Sequence, residues 1–289
     1  MLLPRFDFHR PADLAEAIDL LASLGDAAKL LAGGTDLLVN MKHGAVRPGN
    51  LICLEGLSEL AGKEQAGDAL ALGPAFTAVR LALDQTLPAA LRKGAGSLGS
   101  PQVRNRATMG GNLASARPAA DICLPLLALS ARVILAGPSG QREVELDEFF
   151  LGPGQTAIAK NEILCKVLLP APTPGQGSGF HKLGLRKAME ISLVNLAAWL
   201  RLEADGETIA EARVALGAVA PRPILSPGAA AALAGQKAAP ETIARAAAAA
   251  MADARPIDDH RGSAAYRRDM VGVLARRALN DALADARRD

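Results

Sequence analysis

Leu30-Leu31-Ala32-Gly33-Gly34-Thr35-Asp36-Leu37-Leu38 and Ala107-Thr108-Met109-Gly110-Gly111-Asn112-Leu113-Ala114-Ser115 decide the reading of this chain. Each holds a Gly-Gly pair beside small polar residues. Glycine lets a backbone approach a ligand closely and adopt positive φ, and successive N–H groups in such turns form a concave anion site. Taken singly, each pair fits an ordinary tight turn as well as a phosphate cradle, with Thr35 as a turn hydroxyl and Asn112 as a helix N-cap. The joint pattern points further: a strand runs into Gly-Gly-Thr-Asp, and a distant Thr-Met-Gly-Gly-Asn is followed nine residues on by Asp121. Two such segments suggest a ligand with a pyrophosphate, held from two sides.

Around the first segment, residues 11–21 read as an amphipathic helix with Leu14, Ala17, Ile18 and Leu21 on one face and Gly25 at its end. Residues 28–32 read as a buried strand feeding the glycine turn, 37–42 as a short helix and 50–54 as another strand. This is a small α/β unit with its glycines at a strand's carboxyl end, where such units commonly bind ligands. From about residue 57 the pattern changes. Residues 69–73, 132–136, 142–146 and 162–169 read as strands, with Gly137-Pro138-Ser139-Gly140 as a hairpin turn. Residues 79–83 and 87–93 read as short helices, and 122–129 as apolar and helical after Pro125. Residues 170–179, with three prolines and three glycines, are the best linker. Beyond it, 179–185, 193–204 and 209–218 read as strands and 241–252 and 263–285 as helices.

Half of the 289 residues are hydrophobic but only 3% are aromatic, so the core must be built from Ala, Leu, Val and Ile. The net charge is +2, from 32 basic and 30 acidic residues, and Arg104, Arg106 and Arg117 are the only local basic concentration in mid-chain. That balance argues against nucleic acid as a partner. The N-terminus has no apolar run suited to export. The longest uncharged apolar stretch, residues 122–131, is broken by Pro125. It is well short of the roughly 20 residues a membrane span needs. The expectation is a soluble, cytoplasmic chain without a membrane span.

Recognisable catalytic equipment is scarce. Cys53, Cys123 and Cys165 lie too far apart to suggest an iron–sulfur cluster. His9, His43, His181 and His260 have no metal-ligand spacing. The formal Gly-x-Gly-x-x-Gly at Gly94–Gly99 is rejected as a dinucleotide fingerprint, because a helix precedes it and Pro101 follows. There is no P-loop and no nucleophile elbow. No catalytic or metal-ligating residue is assigned.

The segment Leu30 to Leu38, the run Gln102-Val103-Arg104-Asn105-Arg106-Ala107-Thr108-Met109-Gly110-Gly111-Asn112 and Pro118-Ala119-Ala120-Asp121 resemble the FAD-binding medium subunit of the molybdenum hydroxylases. That family includes the medium subunits of carbon monoxide dehydrogenase and 4-hydroxybenzoyl-CoA reductase and the flavin domain of xanthine dehydrogenase. Phe6-Asp7-Phe8-His9-Arg10-Pro11, Phe180-His181-Lys182 and Arg186 fit too, so the resemblance spans essentially the whole chain.

The resemblance implies an α+β fold. A two-subdomain FAD-binding domain of the vanillyl-alcohol-oxidase type would occupy 1–172, divided into 1–56 and 57–172. A C-terminal flavoprotein domain of a three-stranded antiparallel sheet packed on helices would occupy 177–289. It also implies site roles. Leu30, Leu31, Ala32, Gly33, Gly34, Thr35, Asp36, Leu37 and Leu38 would wrap the FAD pyrophosphate. Thr108, Gly110, Gly111 and Asn112 would complete the phosphate and ribityl contacts, and Asp121 would bind the adenosine ribose. Leu98 would pack beside the isoalloxazine, where the family often has an aromatic residue, and Leu164 and Lys182 would meet the ring edge. On their own, the last two read equally as a core leucine and a surface lysine.

The implied function is that of an electron-transfer subunit. Electrons would arrive from [2Fe–2S] clusters of a small partner, after substrate oxidation at molybdopterin in a large partner. They would leave through FAD to an external acceptor. A dimer of heterotrimers is expected from the family. The chain lacks the four-cysteine insertion of the 4-hydroxybenzoyl-CoA reductase flavin subunit, which favours oxidative hydroxylation over ferredoxin-linked reduction. One rival is a self-contained FAD-dependent oxidase, against which stands the absence of an obvious substrate cap. Another is a scaffold that has lost its cofactor, against which stand the intact glycines.

Overall fold

A computed structural model describes residues 2–186 and 188–288. The chain begins with β1 (Asp7–His9), α1 (Leu14–Leu24), β2 (Ala28–Leu31), α2 (Leu37–Lys42) and β3 (Asn50–Cys53). β3 lies between β1 and β2, parallel to both. Asp13 caps α1 by accepting the Glu16 N–H, and Gly25 ends it with φ 52°. Ala17 and Leu21 bury the inner face of α1 against Ala28 and Ile52. β2 is less buried than its apolar sequence suggests: only Ala28 is fully covered, because the strand's carboxyl end opens into a cleft.

The second unit runs through β4 (Lys63–Ala66), β5 (Ala69–Leu72), α3 (Ala78–Leu83), α4 (Ala89–Ser97), α5 (Pro101–Arg106), α6 (Met109–Ala114), α7 (Cys123–Ala128), β6 (Arg132–Gly137) and β7 (Gly140–Glu145). It closes with α8 (Leu146–Phe149), β8 (Phe150–Gly152), β9 (Gln155–Thr156) and β10 (Ile163–Pro170). Its sheet has the order β4-β5-β10-β6-β7, antiparallel throughout. Three sequence expectations need correction here. β4 escaped notice because Lys-Glu-Gln-Ala is exposed and lacks an apolar face. α7 begins before Pro125 rather than after it, since proline in a first helical turn removes no needed donor. The second glycine segment is not a loop: Gly110, Gly111 and Asn112 lie in α6, six residues long and capped by Thr108. Gly94 and Gly96 lie inside helix α4, which removes any strand–turn–helix fingerprint.

The third unit holds β11 (Gln176–Leu183), β12 (Val194–Leu202), β13 (Thr208–Gly217), β14 (Ile224–Leu225), α9 (Pro227–Leu233), β15 (Gln236–Lys237), α10 (Pro240–Asp253) and α11 (Ala264–Ala286). The three long strands are antiparallel, as expected. Two-residue strands β14 and β15 extend the sheet from β13. β12 is buried on both faces, so its sequence is nearly continuous in apolar residues. Val194, Leu196, Ala198 and Leu200 point towards α10 and α11. Ala197 and Trp199 point to the opposite core, shared with α7 and the second unit. This alternation puts Asn195 on the face turned towards the first two units.

Candidate functional site

A cleft of about 1600 Å³ runs between the three units. Leu30, Ala32, Gly33, Gly34, Thr35, Asp36 and Leu37 line one wall. Leu98, Thr108, Gly110, Gly111, Asn112, Asp121 and Leu164 line the wall from the second unit, and Met189 to Ser192 with Ala218 complete it. Fourteen of the seventeen sequence-assigned residues are therefore gathered around one cavity. Leu31, Leu38 and Lys182 are not on its lining. Leu31 and Leu38 turn their side chains over Gly34 instead, within 3.3 and 3.0 Å of where its Cβ would stand.

The two walls are pressed together at Gly33. A Cβ there would sit 1.9 Å from the Arg106 carbonyl oxygen, so no larger residue fits. Gly34 has φ 75°, the left-handed region that glycine enters freely. Alongside, Arg106 donates to both Glu55 oxygens at 2.8 and 2.9 Å, tying the parallel sheet to α5. That pairing holds the Glu55 carboxyl below its ordinary range.

The two glycine segments offer different chemistry. Among the described residues, the backbone N–H groups of Gly33, Gly34, Thr35 and Asp36 have no protein acceptor. In α6 the amides are already engaged: Met109 N donates to Phe76 O, Gly110 N to Pro74 O, Gly111 N to Thr108 Oγ1 and Asn112 N to Thr108 O. The second segment is thus no amide cradle, contrary to expectation. What it presents is side chains. The Thr108 hydroxyl accepts from Gly111 and keeps its own proton to donate. Asn112 Oδ1 accepts the Ile122 N–H at 3.3 Å, leaving its amide nitrogen for the cleft.

Also on the cleft lining, Asp121 is 5% exposed. Its Oδ2 lies 2.5 Å from Lys182 Nζ, and its Oδ1 accepts from Ser192 Oγ at 3.0 Å and Asn195 Nδ2 at 2.9 Å. Lys182 Nζ also donates to Ser97 O at 3.3 Å, next to Leu98. Burial pushes the Asp121 carboxyl above its ordinary range, while Lys182, Ser192 and Asn195 pull against that rise. Beside it the Cys123 thiol is raised by complete burial and by the Asp121 charge. It is an inert thiol, not a nucleophile. Leu164 reaches the cleft where β10 slips register against β6 between Leu164 and Lys166.

Ser192 and Asn195 were not singled out from sequence. A signal was present: Asn195 interrupts the apolar run Leu193 to Leu200. Arg267 was also missed. It is 3% exposed, donates from Nη1 to Leu193 O and Ala218 O, and pairs with Asp259 at 2.5 Å, bracing the third wall. Among the described residues no cluster of three or more His, Cys, Asp or Glu side chains could hold a metal ion. No described helix is long and apolar enough to cross a membrane.

Acceptor-free amides, a hydroxyl and a carboxamide on one cleft lining that also carries Leu98 and Leu164 suit a nucleotide with phosphates and a flat ring. The comparisons agree. Residues 4–172 match the family described as FAD binding domain in molybdopterin dehydrogenase, and 180–282 match CO dehydrogenase flavoprotein C-terminal domain. The chain belongs to this family of FAD-binding medium subunits of molybdenum hydroxylases, which are subunits of oxidoreductases. It is 36% identical to the carbon monoxide dehydrogenase medium chain of Hydrogenophaga pseudoflava, over 98% of this chain and 99% of that one. It is 35% identical to the xanthine dehydrogenase FAD-binding subunit of Escherichia coli O157:H7, over 97% and 98%. Its fold superposes on the solved carbon monoxide dehydrogenase of Hydrogenophaga pseudoflava with a TM-score of 0.93, at 36% identity, over 98% and 99% of the two chains. Quinoline 2-oxidoreductase from Pseudomonas putida 86 follows at a TM-score of 0.89 and 31% identity, over 98% and 99%.

Proposed function

We propose that this chain holds FAD in the cleft as the electron-exit subunit of a molybdenum hydroxylase complex. Substrate is oxidised in a large molybdopterin subunit, and a small [2Fe–2S] subunit relays the electrons. This chain delivers them to an external acceptor, in a cytoplasmic dimer of heterotrimers. FAD, when bound, supplies a centre that accepts electrons singly and releases them as a pair. The protein contributes binding, orientation and charge. The observation that carries this reading is the row of acceptor-free amides at Gly33 to Asp36 facing Thr108 and Asn112 across one cleft.

In this reading the chain divides into an FAD-binding domain, 1–172, with subdomains 1–56 and 57–172, and a C-terminal domain, 177–289. The Gly33 to Asp36 amides hold the pyrophosphate. Thr108 donates to a phosphate or ribityl oxygen, and Asn112 assists. Leu98 and Leu164 exclude water from the ring. One assignment moves: the resemblance put Asp121 at the adenosine ribose and Lys182 at the ring edge. The two side chains are 2.5 Å apart, and Lys182 also bonds Ser97 beside Leu98. These contacts support placing both at the ring end, where the Lys182 ammonium favours negative charge on reduced flavin.

The test is a visible spectrum of the purified protein with whatever partners accompany it. Flavin bands that survive desalting and bleach with dithionite are expected, with iron–sulfur absorbance if partners co-purify. A colourless protein that takes up no added FAD would overturn the proposal.

A further inference from the structure

Asn195 lies on β12 and Ser192 just before it, in the C-terminal unit, yet both reach the carboxylate of Asp121 in the second unit. Asn195 is fully buried, and its Oδ1 has no hydrogen-bond partner among the described residues. An orphaned buried acceptor is a cost that an apolar residue would avoid. What Asn195 gains is on its nitrogen, which donates to Asp121 Oδ1 at 2.9 Å and Ala119 O at 3.3 Å. A carboxylate only accepts, so the orientation of the amide is fixed by Asp121. Ser192 is 2% exposed, and its hydroxyl donates to the same oxygen. Two neutral donors therefore pin Oδ1 and leave Oδ2 for Lys182 alone.

We propose that Ser192 and Asn195 are positioning residues that keep Asp121 ionised and aligned on Lys182, so that the flavin end of the cleft meets a balanced ion pair rather than an isolated ammonium. The inference rests on the FAD reading and concerns only how this chain sets the charge beside the ring. The titratable groups facing Asp121 are the Lys182 ammonium, from β11, and the Cys123 thiol, two residues along its own segment. The thiol is too deeply buried to ionise, so among the described residues Lys182 is the charge that acts on Asp121. With a donor to Oδ1 removed, the buried carboxyl takes up a proton more readily. Lys182 is then uncompensated, and its charge stabilises reduced over oxidised flavin.

The experiment is a redox titration of the flavin in the whole purified protein at several pH values from about 8 to about 6, chosen because burial moves the Asp121 carboxyl upward. The proteins compared are wild type, Ser192→Ala, Asn195→Leu and Ser192→Thr. In Ser192→Ala and Asn195→Leu the midpoint potential should climb more steeply than in wild type as pH falls. Preference for the reduced form should grow by about tenfold at the acid end. Ser192→Thr, which keeps the hydroxyl, should follow wild type. A Ser192→Ala protein that melts normally but loses flavin, where Ser192→Thr retains it, would also support the positioning role. Profiles of Ser192→Ala and Asn195→Leu that overlie wild type would overturn it. Should Asn195→Leu fail to fold, the two Ser192 variants decide alone. Absence of flavin from the wild-type protein, with no uptake of added FAD, would instead remove the FAD reading.

Discussion

A side-chain carbon on Gly33 would stand 1.9 Å from the backbone oxygen of Arg106. The first glycine of the cradle is therefore required by the meeting of two units as well as by any ligand. At Gly34 the nearest obstacle is different: the end of the Leu38 side chain, at 3.0 Å.

This contrast predicts a ranking. Gly33→Ala must push the α5–α6 junction away from the parallel sheet. Such overpacking typically costs about 1–3 kcal/mol, and it opens the amide row at the same time. Gly34→Ala meets a movable leucine and a left-handed φ, a penalty of about 1–2 kcal/mol. Melting temperature and FAD content should both fall further in Gly33→Ala. Equal losses in the two variants would mean that loop contact is not what Gly33 provides.

Glu55 and Arg106 bridge the same two units beside the cradle, but their side chains are 61% and 54% exposed. Pairs so open to water contribute little, about 0–1 kcal/mol. Glu55→Gln is expected to leave melting almost unchanged and to shift FAD affinity less than about threefold. The small effect should shrink further in high salt. A large loss would show that the pair, and not the Gly33 contact, closes the cleft.

Much of this site was legible from sequence because its signals are local. A Gly-Gly pair at the end of a β pattern announces a turn wherever the chain goes next, and residues 37–42 were read as a helix to the residue. What escaped depends on distant neighbours. Nothing near Met109 shows that Pro74 and Phe76 will occupy the amides of α6, so the second segment read as an open loop. Asp121 and Lys182 are separated by 61 residues, and their contact follows from how β11 packs beside α4, which itself packs on α7. The resemblance treats the two residues one at a time, which does not reveal that they form one ion pair.

Asp259 predicts a pH response in the third wall. Burial resists ionisation of its carboxyl, but the Arg261 N–H and the Arg267 and Arg261 guanidinium groups outweigh it and hold the value at about 2. The unfolded carboxyl titrates near 3.9, roughly two units higher. Because the folded value is depressed, the stabilisation is fully present above about pH 4. It fades as pH falls through the folded value. Asp259→Asn should lose that acid-side component, so its melting curve should change less than wild type between about pH 5 and pH 2. Arg267→Met leaves Asp259 to Arg261 alone and leaves two carbonyls without their donor, and it should cost about 1–3 kcal/mol near neutral pH. Equal acid sensitivity in Asp259→Asn and wild type would assign the response to other carboxyls.

Thr108 combines a structural and a ligand-facing task in one hydroxyl. Its oxygen accepts the Gly111 N–H at 3.1 Å, capping α6, while its proton remains available to an acceptor in the cleft. Thr108→Val keeps the shape and removes both functions. The lost cap should lower stability by about 1 kcal/mol, and the lost donor should weaken FAD binding by about tenfold. Thr108→Ser retains the oxygen and the proton and should restore both. The two effects separate in a titration of FAD fluorescence run beside thermal melting of the FAD-free protein. If Thr108→Val lowers the melting temperature but leaves the FAD dissociation constant unchanged, Thr108 serves only the helix, and the phosphate end of the cleft rests on the Gly33 to Asp36 amides and Asn112.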